Sequence, residues 1–394
     1  MIDTSSAEQK GADCEKGAEL KRVIVAGHIC LDITPVFPTQ NVHKPGDILI
    51  PGKLLNVGPA EVHAGGAVVN TGIAMKLMGA DVSLMGKIGE DAFGSMVRET
   101  LRQYDADRDM LVSPDEDTSY TVVLAMPGID RIFLHHPGAN DTFCASDIPQ
   151  QALEEAALFH FGYPPLMRSM YEHEGSELVK MMRRVREAGA AASLDLAAVD
   201  PASAAGAADW RRILEKVLPY VDIFVPSVEE LCYMLDRRRY DEWQARAGDR
   251  DITEILDLDR DIRPLADQCM SMGARILMIK CGTPGLYCRT ADAAALSAIG
   301  KRLALDADAW ANLSVFERSY VPDRVLSGTG AGDTCIAAFL AAILRGYAPE
   351  MALHLAAAAG ALCVAAYDAL TGLLPLQEME RRIADGWEKI DMKS

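Results

Sequence analysis

The sequence lacks the features that mark several large classes of protein. None of its apolar stretches is long enough to cross a bilayer, so no membrane-spanning helix is predicted. Positive charge is scarce, because 39 basic residues stand against 57 acidic ones. The net charge of −18 argues against nucleic acid or an anionic membrane surface as a partner. The nine cysteines include no C-x-x-C pair, which is typical of reduced thiols in the cytoplasm.

The composition is that of a globular protein. Apolar residues make up 49% of the chain and charged residues 24%, and 394 residues are enough to bury a large core. Residues 1–20 are polar, so we expect a mobile N-terminal tail without a signal peptide. Residues 21–394 would then form the folded domain.

The densest group of glycines lies near the C-terminus, where residues 327–333 read Ser-Gly-Thr-Gly-Ala-Gly-Asp. An apolar run without glycine or proline follows to Leu344 and predicts a helix. A glycine-rich turn that opens a helix can bind an anion, because free amide hydrogens and the positive end of the helix dipole meet there. Asp333 stands at this place and could take a proton from a nucleophile beside a phosphate.

Two other interpretations of this loop remain open. Asp333 could belong to an ordinary helix N-terminus that follows a tight turn. The glycines also loosely match a dinucleotide-binding fingerprint, which would indicate a dehydrogenase. That fingerprint belongs early in a βαβ unit and is followed by an acid at a strand end, whereas an alanine-rich helical stretch follows here.

Short apolar segments alternate with helical segments along most of the chain. This alternation predicts an α/β fold with a doubly wound, mainly parallel sheet and helices on both of its faces. Asp32 comes just after the first buried strand, at the end where open α/β sheets bind ligands. The candidate strands are residues 22–26, 82–85, 159–162, 193–196, 223–225 and 275–279.

Three segments lie outside this alternation. Residues 35–63 and 118–136 are β-rich, the second being a hairpin through Pro127-Gly128. We expect them to form a small separate sheet, a lid over a site, whose apolar outer face a second copy could cover in a homodimer. Residues 236–263 carry charges of both signs and are predicted to be a solvated helical insertion.

Glycine-rich segments with fixed neighbours occur in two places. The first comprises Gly65-Gly66, Asn70, Gly79, Gly86, Gly89, Asp91 and Gly94, and the second is Gly-Ala-Gly-Asp at 330–333. Between them lie Gly138-Ala139-Asn140, Pro226-Ser227-Val228-Glu229-Glu230, Gly282 and Gly285. In this order they resemble the signatures of the ribokinase-like (PfkB) family of carbohydrate kinases. The resemblance implies the ribokinase-like fold and ATP-dependent phosphorylation of a hydroxyl on a small sugar or sugar-like polyol.

The resemblance also implies a role for each matching residue. Asp333 would be the catalytic base, and the amides of residues 330–332 would form the anion hole for the transferred phosphoryl group. Glu230 would organise Mg²⁺ through water. The positions that would contact the acceptor are Asp32, Gly66, Asn70 and Asp333. Those that would contact ATP are Ser227, Glu230, Gly282, Gly285, Gly330 and Gly332.

Two positions depart from the family pattern, and two alternative functions remain. Ser327-Gly328 replaces the usual Asp-Thr, which leaves dependence on a monovalent cation open, and Ser227 replaces the asparagine of an Asn-x-x-Glu motif. A nucleoside kinase of the same fold would need a pocket for a base, and with only 6% aromatic residues no aromatic cluster near Asp32 indicates one. A non-catalytic sugar-binding regulator would have no use for an intact Asp333.

Overall fold

A computed structural model describes residues 21–37, 44, 46, 48–127 and 132–391. The expected N-terminal tail and the turn at Gly128 lie outside the described residues. The strands are β1 Arg22–Gly27, β2 Cys30–Pro35, β3 Ala60–Gly65, β4 Asp81–Met85, β5 Lys87–Gly89, β6 Leu111–Ser113, β7 Tyr120–Leu124, β8 Ile132–His136, β9 Leu158–Gly162, β10 Ala191–Leu194, β11 Ile223–Phe224, β12 Ile276–Lys280, β13 Gly285–Thr290 and β14 Ser314–Arg318.

The α-helices, numbered in chain order, are α1 Ala67–Leu77, α2 Ala92–Arg102, α3 Gln150–Glu155, α4 Arg168–Glu187, α5 Ala204–Ala207, α6 Trp210–Val217, α7 Val228–Leu235, α8 Arg237–Ala247, α9 Arg263–Ser271, α10 Ala293–Leu296, α11 Ala307–Trp310, α12 Ala331–Leu344, α13 Pro349–Cys363 and α14 Leu376–Ala384. Within the described residues, no helix is both long enough and apolar enough to span a membrane.

The main sheet has eight strands in the order β14-β13-β12-β11-β10-β9-β1-β4. The six from β4 to β12 are parallel, and β13 and β14 extend the sheet antiparallel at one edge. The predicted α/β class with a mainly parallel sheet is therefore confirmed. The antiparallel edge was not predicted.

Alternate residues of these strands point into two separate cores, which explains why the strands read as continuous apolar runs. Val23 and Val25 of β1 pack with α1, α12 and α13 on one face. Ile24 and Ala26 pack with α4, α6 and α7 on the other face. Helices thus cover both faces of the sheet, as the alternation predicts.

The strand order reverses between β1 and β9, because the chain continues from β1 to β4 on one side and later returns to β9 on the other. Gly27 ends β1 with φ of +126°, and a methyl group on it would lie 2.2 Å from the carbonyl oxygen of Gly162, which ends β9. Only glycine fits this conformation and this contact. Ligands bind at such a reversal in open α/β sheets, beyond the carboxyl ends of the strands.

A separate sheet of four strands, in the order β3-β2-β7-β8, stands beside the main one. It contains parts of the two segments that were expected to form a small sheet: β7 and β8 lie within residues 118–136, but of residues 35–63 only Pro35 and residues 60–63 are in described strands. The sheet begins earlier in the chain than expected, at Cys30. Asp32 therefore lies within β2, paired with His63 of β3 and Thr121 of β7, and not in a loop. The small sheet thereby brings Asp32 close to the end of β1.

The charged segment 236–263 is more than the solvated insertion that was predicted. Its helix α8 buries Trp243, which is 1% exposed and donates a hydrogen bond from Nε1 to Asp261 at 3.0 Å. Further along, Thr253 packs against Gly282 after β12, where a methyl group on the glycine would lie 2.6 Å from Oγ1 of Thr253. The segment therefore packs onto the domain and contributes to its cavity.

Candidate active site

Asp333 is a buried carboxylate in the first turn of α12. Asp333 is 4% exposed. The helix places its side chain beside the carboxyl ends of β1 and β9. Tyr163 Oη lies 2.7 Å from both carboxylate oxygens and donates to them. Asn70 Nδ2 of α1 donates to Oδ2 at 2.9 Å. Residues far apart in the sequence thus hold a single carboxylate.

The pKa of Asp333 is raised above its ordinary value. Burial is the largest cause, because a carboxylate loses its hydration there, and the nearby charge of Glu230 acts in the same direction. The hydrogen bonds from Tyr163 and Asn70 and the charge of Lys280 act in the opposite direction. A carboxylate with a raised pKa is a stronger base than an exposed aspartate.

Tyr163 holds Asp333 from the end of β9. It directly follows Gly162 and has a left-handed backbone conformation, with φ of 65° and ψ of 43°, which is uncommon for a residue with a side chain. Two prolines follow it and open a short turn. Non-glycine residues persist in this conformation where the surroundings enforce it, and such positions cluster at functional sites.

The glycine-rich loop forms the N-terminus of α12. Gly330 is the N-cap residue with φ of 77°, and a methyl group on it would lie 2.3 Å from Cβ of Ala369. The amide of Ala331 donates weakly to the carbonyl of Gly328 at 3.4 Å. The amides of the first helical turn have no partner within their own helix, so this turn is suited to an anion.

A cavity of about 680 Å³ opens from this loop along the carboxyl ends of β9 to β12. Asp195, Glu230, Lys280 and Asp333 form a polar part of its wall, and Val325, Ala361 and Ile390 contribute apolar surface. The predicted residues on its wall are Ser227, Glu230, Gly282, Gly285, Gly330, Ala331, Gly332 and Asp333. Residues on the wall that were not predicted include Tyr163, Asp195, Asp251, Thr253, Lys280, Tyr320, Val325, Ala361 and Ile390.

Ser227 and Glu230 form a capping box at the start of α7. The Ser227 hydroxyl accepts from the amide of Glu230 at 3.3 Å, and the Glu230 carboxylate accepts from the amide of Ser227 at 2.9 Å. Serine and asparagine are both strong N-cap residues, so the departure from the family motif preserves this function. No group of three or more metal-ligating side chains occurs within the described residues.

Asp32, Gly66 and Asn70 contact different neighbours. Asn70 contacts Asp333, whereas Asp32 lies over Gly65 and accepts from Cys30 Sγ at 3.3 Å. Burial raises the pKa of Asp32. Gly66 opens α1 and packs against the backbone of His28.

Three rings that were not predicted lie close together near Gly66. The ring centroid of His28 is 5.3 Å from that of His135 and 6.1 Å from that of Tyr163. Burial lowers the pKa of His28 to about 3, so the imidazole is neutral. Neither of its ring nitrogens has a hydrogen-bond partner among the described residues. No pattern in the sequence indicated this ring cluster, because its three members come from separate segments of the chain.

Comparisons with known proteins agree with this geometry. Residues 22–375 match the pfkB family carbohydrate kinase family. An uncharacterized sugar kinase of Archaeoglobus fulgidus is 22% identical over 76% of this chain and 98% of its own. A 2-dehydro-3-deoxygluconokinase of Thermoproteus tenax is 27% identical over 80% of this chain and 83% of its own. The structure of Arabidopsis thaliana ribokinase complexed with ribose and ATP superposes with a TM-score of 0.66 at 19% identity, covering 92% and 98% of the two chains.

The fold and the family match define a carbohydrate kinase with a ribokinase-like architecture. Within that class, the chain belongs to the pfkB family of carbohydrate kinases, because the match extends over nearly its whole length. The family resemblance and the fold inferred from the sequence are therefore confirmed.

The capping box makes a prediction about Ser227. Ser227→Ala removes the hydroxyl that accepts from the amide of Glu230 and should lower the free energy of unfolding by about 1 kcal/mol. Ser227→Asn, which restores the family residue, should leave that free energy within a few tenths of a kcal/mol. Urea denaturation of both variants checks this. Equal losses in both would show that capping is not the function of the side chain.

Proposed function

We propose that this protein transfers the γ-phosphoryl group of ATP to a hydroxyl of a small sugar or sugar-like polyol, with Asp333 as the base. The observation that carries the proposal is the pairing of a buried, hydrogen-bonded carboxylate with a glycine-rich helix N-terminus on the wall of a large cavity. A protein that only binds sugar has no need for a base with a raised pKa beside an anion site. The established family membership supports the same reaction.

Asp333 would act on the acceptor hydroxyl. The phenol oxygen of Tyr163 occupies the place beside both carboxylate oxygens, so an acceptor hydroxyl must share or take over one of these contacts. As the acceptor oxygen bonds to phosphorus and the bond to ADP breaks, its proton passes to Asp333. Asn70 and Tyr163 keep the carboxylate oriented throughout.

The transferred group would be stabilised by the loop at residues 330–332. Phosphoryl transfer needs little covalent help from a protein, and depends on positioning and on stabilisation of charge. The amides of Gly330, Ala331 and Gly332 and the dipole of α12 supply fixed positive potential at the oxygens of that group. A neutral hydroxyl alone would make a poor nucleophile there without the base.

The residues of the cavity fit Mg²⁺ and ATP. Glu230 and Asp195 contribute carboxylates to the polar part of the cavity wall, and Mg²⁺ prefers such oxygen ligands together with water and phosphate. When bound, the metal neutralises charge on the phosphate oxygens. Glu230 would hold it through water, since one of its oxygens already accepts from the amide of Ser227. The apolar surface that Val325, Ala361 and Ile390 contribute to the cavity wall suits a purine.

The acceptor would bind between Asp333 and the small sheet. Asp32 and the backbone at Gly66 offer hydrogen-bond groups there, and His28 adds a buried imidazole with two unused nitrogens. The relatives make 2-dehydro-3-deoxygluconate and ribose the first acceptors to test. The neighbouring rings of His28, His135 and Tyr163 make a nucleoside the second candidate, because aromatic rings can contact the face of a base. Monovalent-cation dependence would be tested in the same assay.

We place the enzyme in the cytoplasm, as the sequence predicts. The eight described cysteines are all free thiols, which agrees with a reducing compartment. Seven of those residues are buried and Cys144 is partly buried. Oxidised or disulfide-linked protein isolated from its native source would argue against this location.

The first test concerns Asp333. Asp333→Asn keeps the size of the side chain and removes its ability to accept a proton, so turnover should fall about 10²- to 10⁴-fold. The measurement is ADP release with Mg²⁺ and ATP over a panel of sugars, sugar acids and nucleosides, followed by the same assay on the variant. Asp292→Asn, at the exposed N-terminus of α10, serves as the control and should keep full turnover. Turnover of Asp333→Asn within a few-fold of the parent would refute the base.

The second test concerns pH. The hydrogen bonds from Tyr163 lower the pKa of Asp333, so Tyr163→Phe should raise that pKa further. Because only the carboxylate accepts a proton, kcat/KM falls as the pH drops through this pKa. The acid limb of the variant should therefore lie at higher pH. Tyr287→Phe, whose buried hydroxyl contacts Ser314 at 2.9 Å, should leave the limb unmoved. An unshifted limb in Tyr163→Phe would contradict this coupling.

The third test concerns a homodimer through the small sheet, which we propose acts as a lid. Its edge strand β8 exposes apolar residues on both faces, with Phe133 57% and Leu134 54% exposed. An exposed apolar edge strand is a template for pairing, and a second copy would cover it. Light scattering should give a dimer for the parent and a smaller mass for Leu134→Lys. A monomeric parent at working concentration would exclude the dimer.

A further inference from the structure

Lys280 is a buried lysine in the polar part of the cavity wall, with no role assigned so far. It is the last residue of β12, and its amide donates to the carbonyl of Pro226 at 2.9 Å, so its backbone is fixed beside Ser227. Its side chain is 12% exposed, and Nζ lies 2.7 Å from Oδ1 of Asp195. The four-carbon stem therefore runs into the site from the sheet.

The stem of Lys280 passes against the anion loop. A methyl group on Gly332 would lie 3.4 Å from Cδ, 3.6 Å from Cε and 3.7 Å from Nζ of the lysine. Because Gly332 has no side chain, the outer part of the stem, from Cδ to Nζ, lies close to the first turn of α12. The ammonium is therefore next to the N-terminus of that helix, where the amides of the glycine-rich loop also lie.

The charges around Lys280 keep it protonated. Burial lowers its pKa, but Asp195, Glu230 and Asp333 raise it by more, and the net shift is upward. Asp195 is itself a weak acid here, because burial raises its pKa to about 8 despite the opposing effect of Lys280. The lysine is therefore a positive charge that acidic side chains hold beside the glycine-rich loop.

A purely structural role accounts poorly for this pair. Buried ion pairs add little stability, because the cost of desolvating two charges offsets their attraction. The same strands already carry one such pair away from the cavity, where Arg275 NH1 contacts Asp222 at 2.7 Å with 12% and 1% of the side chains exposed. That pair joins the amino ends of β11 and β12, whereas the Lys280 pair faces the site. The two ion pairs are equally buried, and they differ in that only the Lys280 pair faces the cavity.

We propose that Lys280 binds the phosphoryl group during its transfer, as a fixed cation that acts together with the amides of residues 330–332. In this structure its ammonium contacts Asp195, and on binding of the triphosphate it would contact the oxygens of the terminal phosphoryl group. The proposal rests on the proposed function and adds a residue to its catalytic machinery. The ammonium and the loop amides together would then stabilise charge on the phosphoryl oxygens.

The test compares nucleotides that differ by the terminal phosphoryl group. Isothermal titration calorimetry with Mg²⁺ measures the Kd of ADP and of a non-hydrolysable ATP analogue, adenosine 5′-(β,γ-imido)triphosphate. In Lys280→Met the analogue should bind at least about tenfold more weakly, whereas the Kd of ADP should change by no more than about threefold. This readout needs no knowledge of the acceptor. Turnover should fall in parallel.

Arg275→Met is the matched control, because it breaks the equally buried pair at the other end of β12. It should lose thermal stability to a similar extent and keep the ratio of the two Kd values. If Lys280→Met does not fold, Lys280→Gln removes the charge and keeps a side-chain amide that can donate a hydrogen bond to Asp195. An unchanged ratio in a folded Lys280 variant would overturn the inference alone. Failure of the parent to bind either nucleotide would overturn the proposed function together with the inference.

Discussion

The burial of one carboxylate is the constraint on which the rest of the site depends. Asp333 is 4% exposed, and a charge removed from water at this depth is stable only if protein groups replace its hydration. Tyr163 and Asn70 do so from the end of β9 and from α1. Moving either element would remove a donor from a buried carboxylate, so Asp333, its donors and the helix N-terminus are fixed as one unit.

The close contact of Gly27 with Gly162 is what allows this unit to form. It brings the ends of β1 and β9 together at the reversal of strand order, so that residues following both strands face the same space. Lys280 lies at the end of β12, and Glu230 lies in α7, the helix after β11. Opposite charges therefore occur along one edge of the sheet. The alternation of acids and a lysine along this edge is suited to a charged, metal-bound nucleotide, although the chain as a whole is strongly acidic.

The sequence predicted those features that depend on local chemistry. Glycines 330 and 332 and the apolar run after them specify a loop and a helix whatever else the chain does, and the apolar strands specify a parallel sheet. Tyr163, Asp195 and Lys280 were missed, although Tyr163 and Asp195 directly follow buried strands and Lys280 is the last residue of one. Their position at the carboxyl ends of strands was a usable signal. A local sequence pattern does not say which distant residue a side chain will contact. Tyr163 contacts Asp333 only after the sheet has formed. For the same reason Thr253 could not be assigned to the cavity from a charged segment that read as solvated.

The central claim is that phosphoryl groups pass from ATP to a carbon-bound hydroxyl in front of Asp333. ³¹P nuclear magnetic resonance tests it most directly, with the parent protein, Mg²⁺, ATP and a mixture of sugars, sugar acids and nucleosides. We expect the γ-phosphate signal to be replaced by that of a phosphate monoester, in amounts equal to the ADP formed. Asp333→Asn serves as the control. Orthophosphate as the sole product of the parent, or no more loss of ATP with the parent than with the control, would contradict the account.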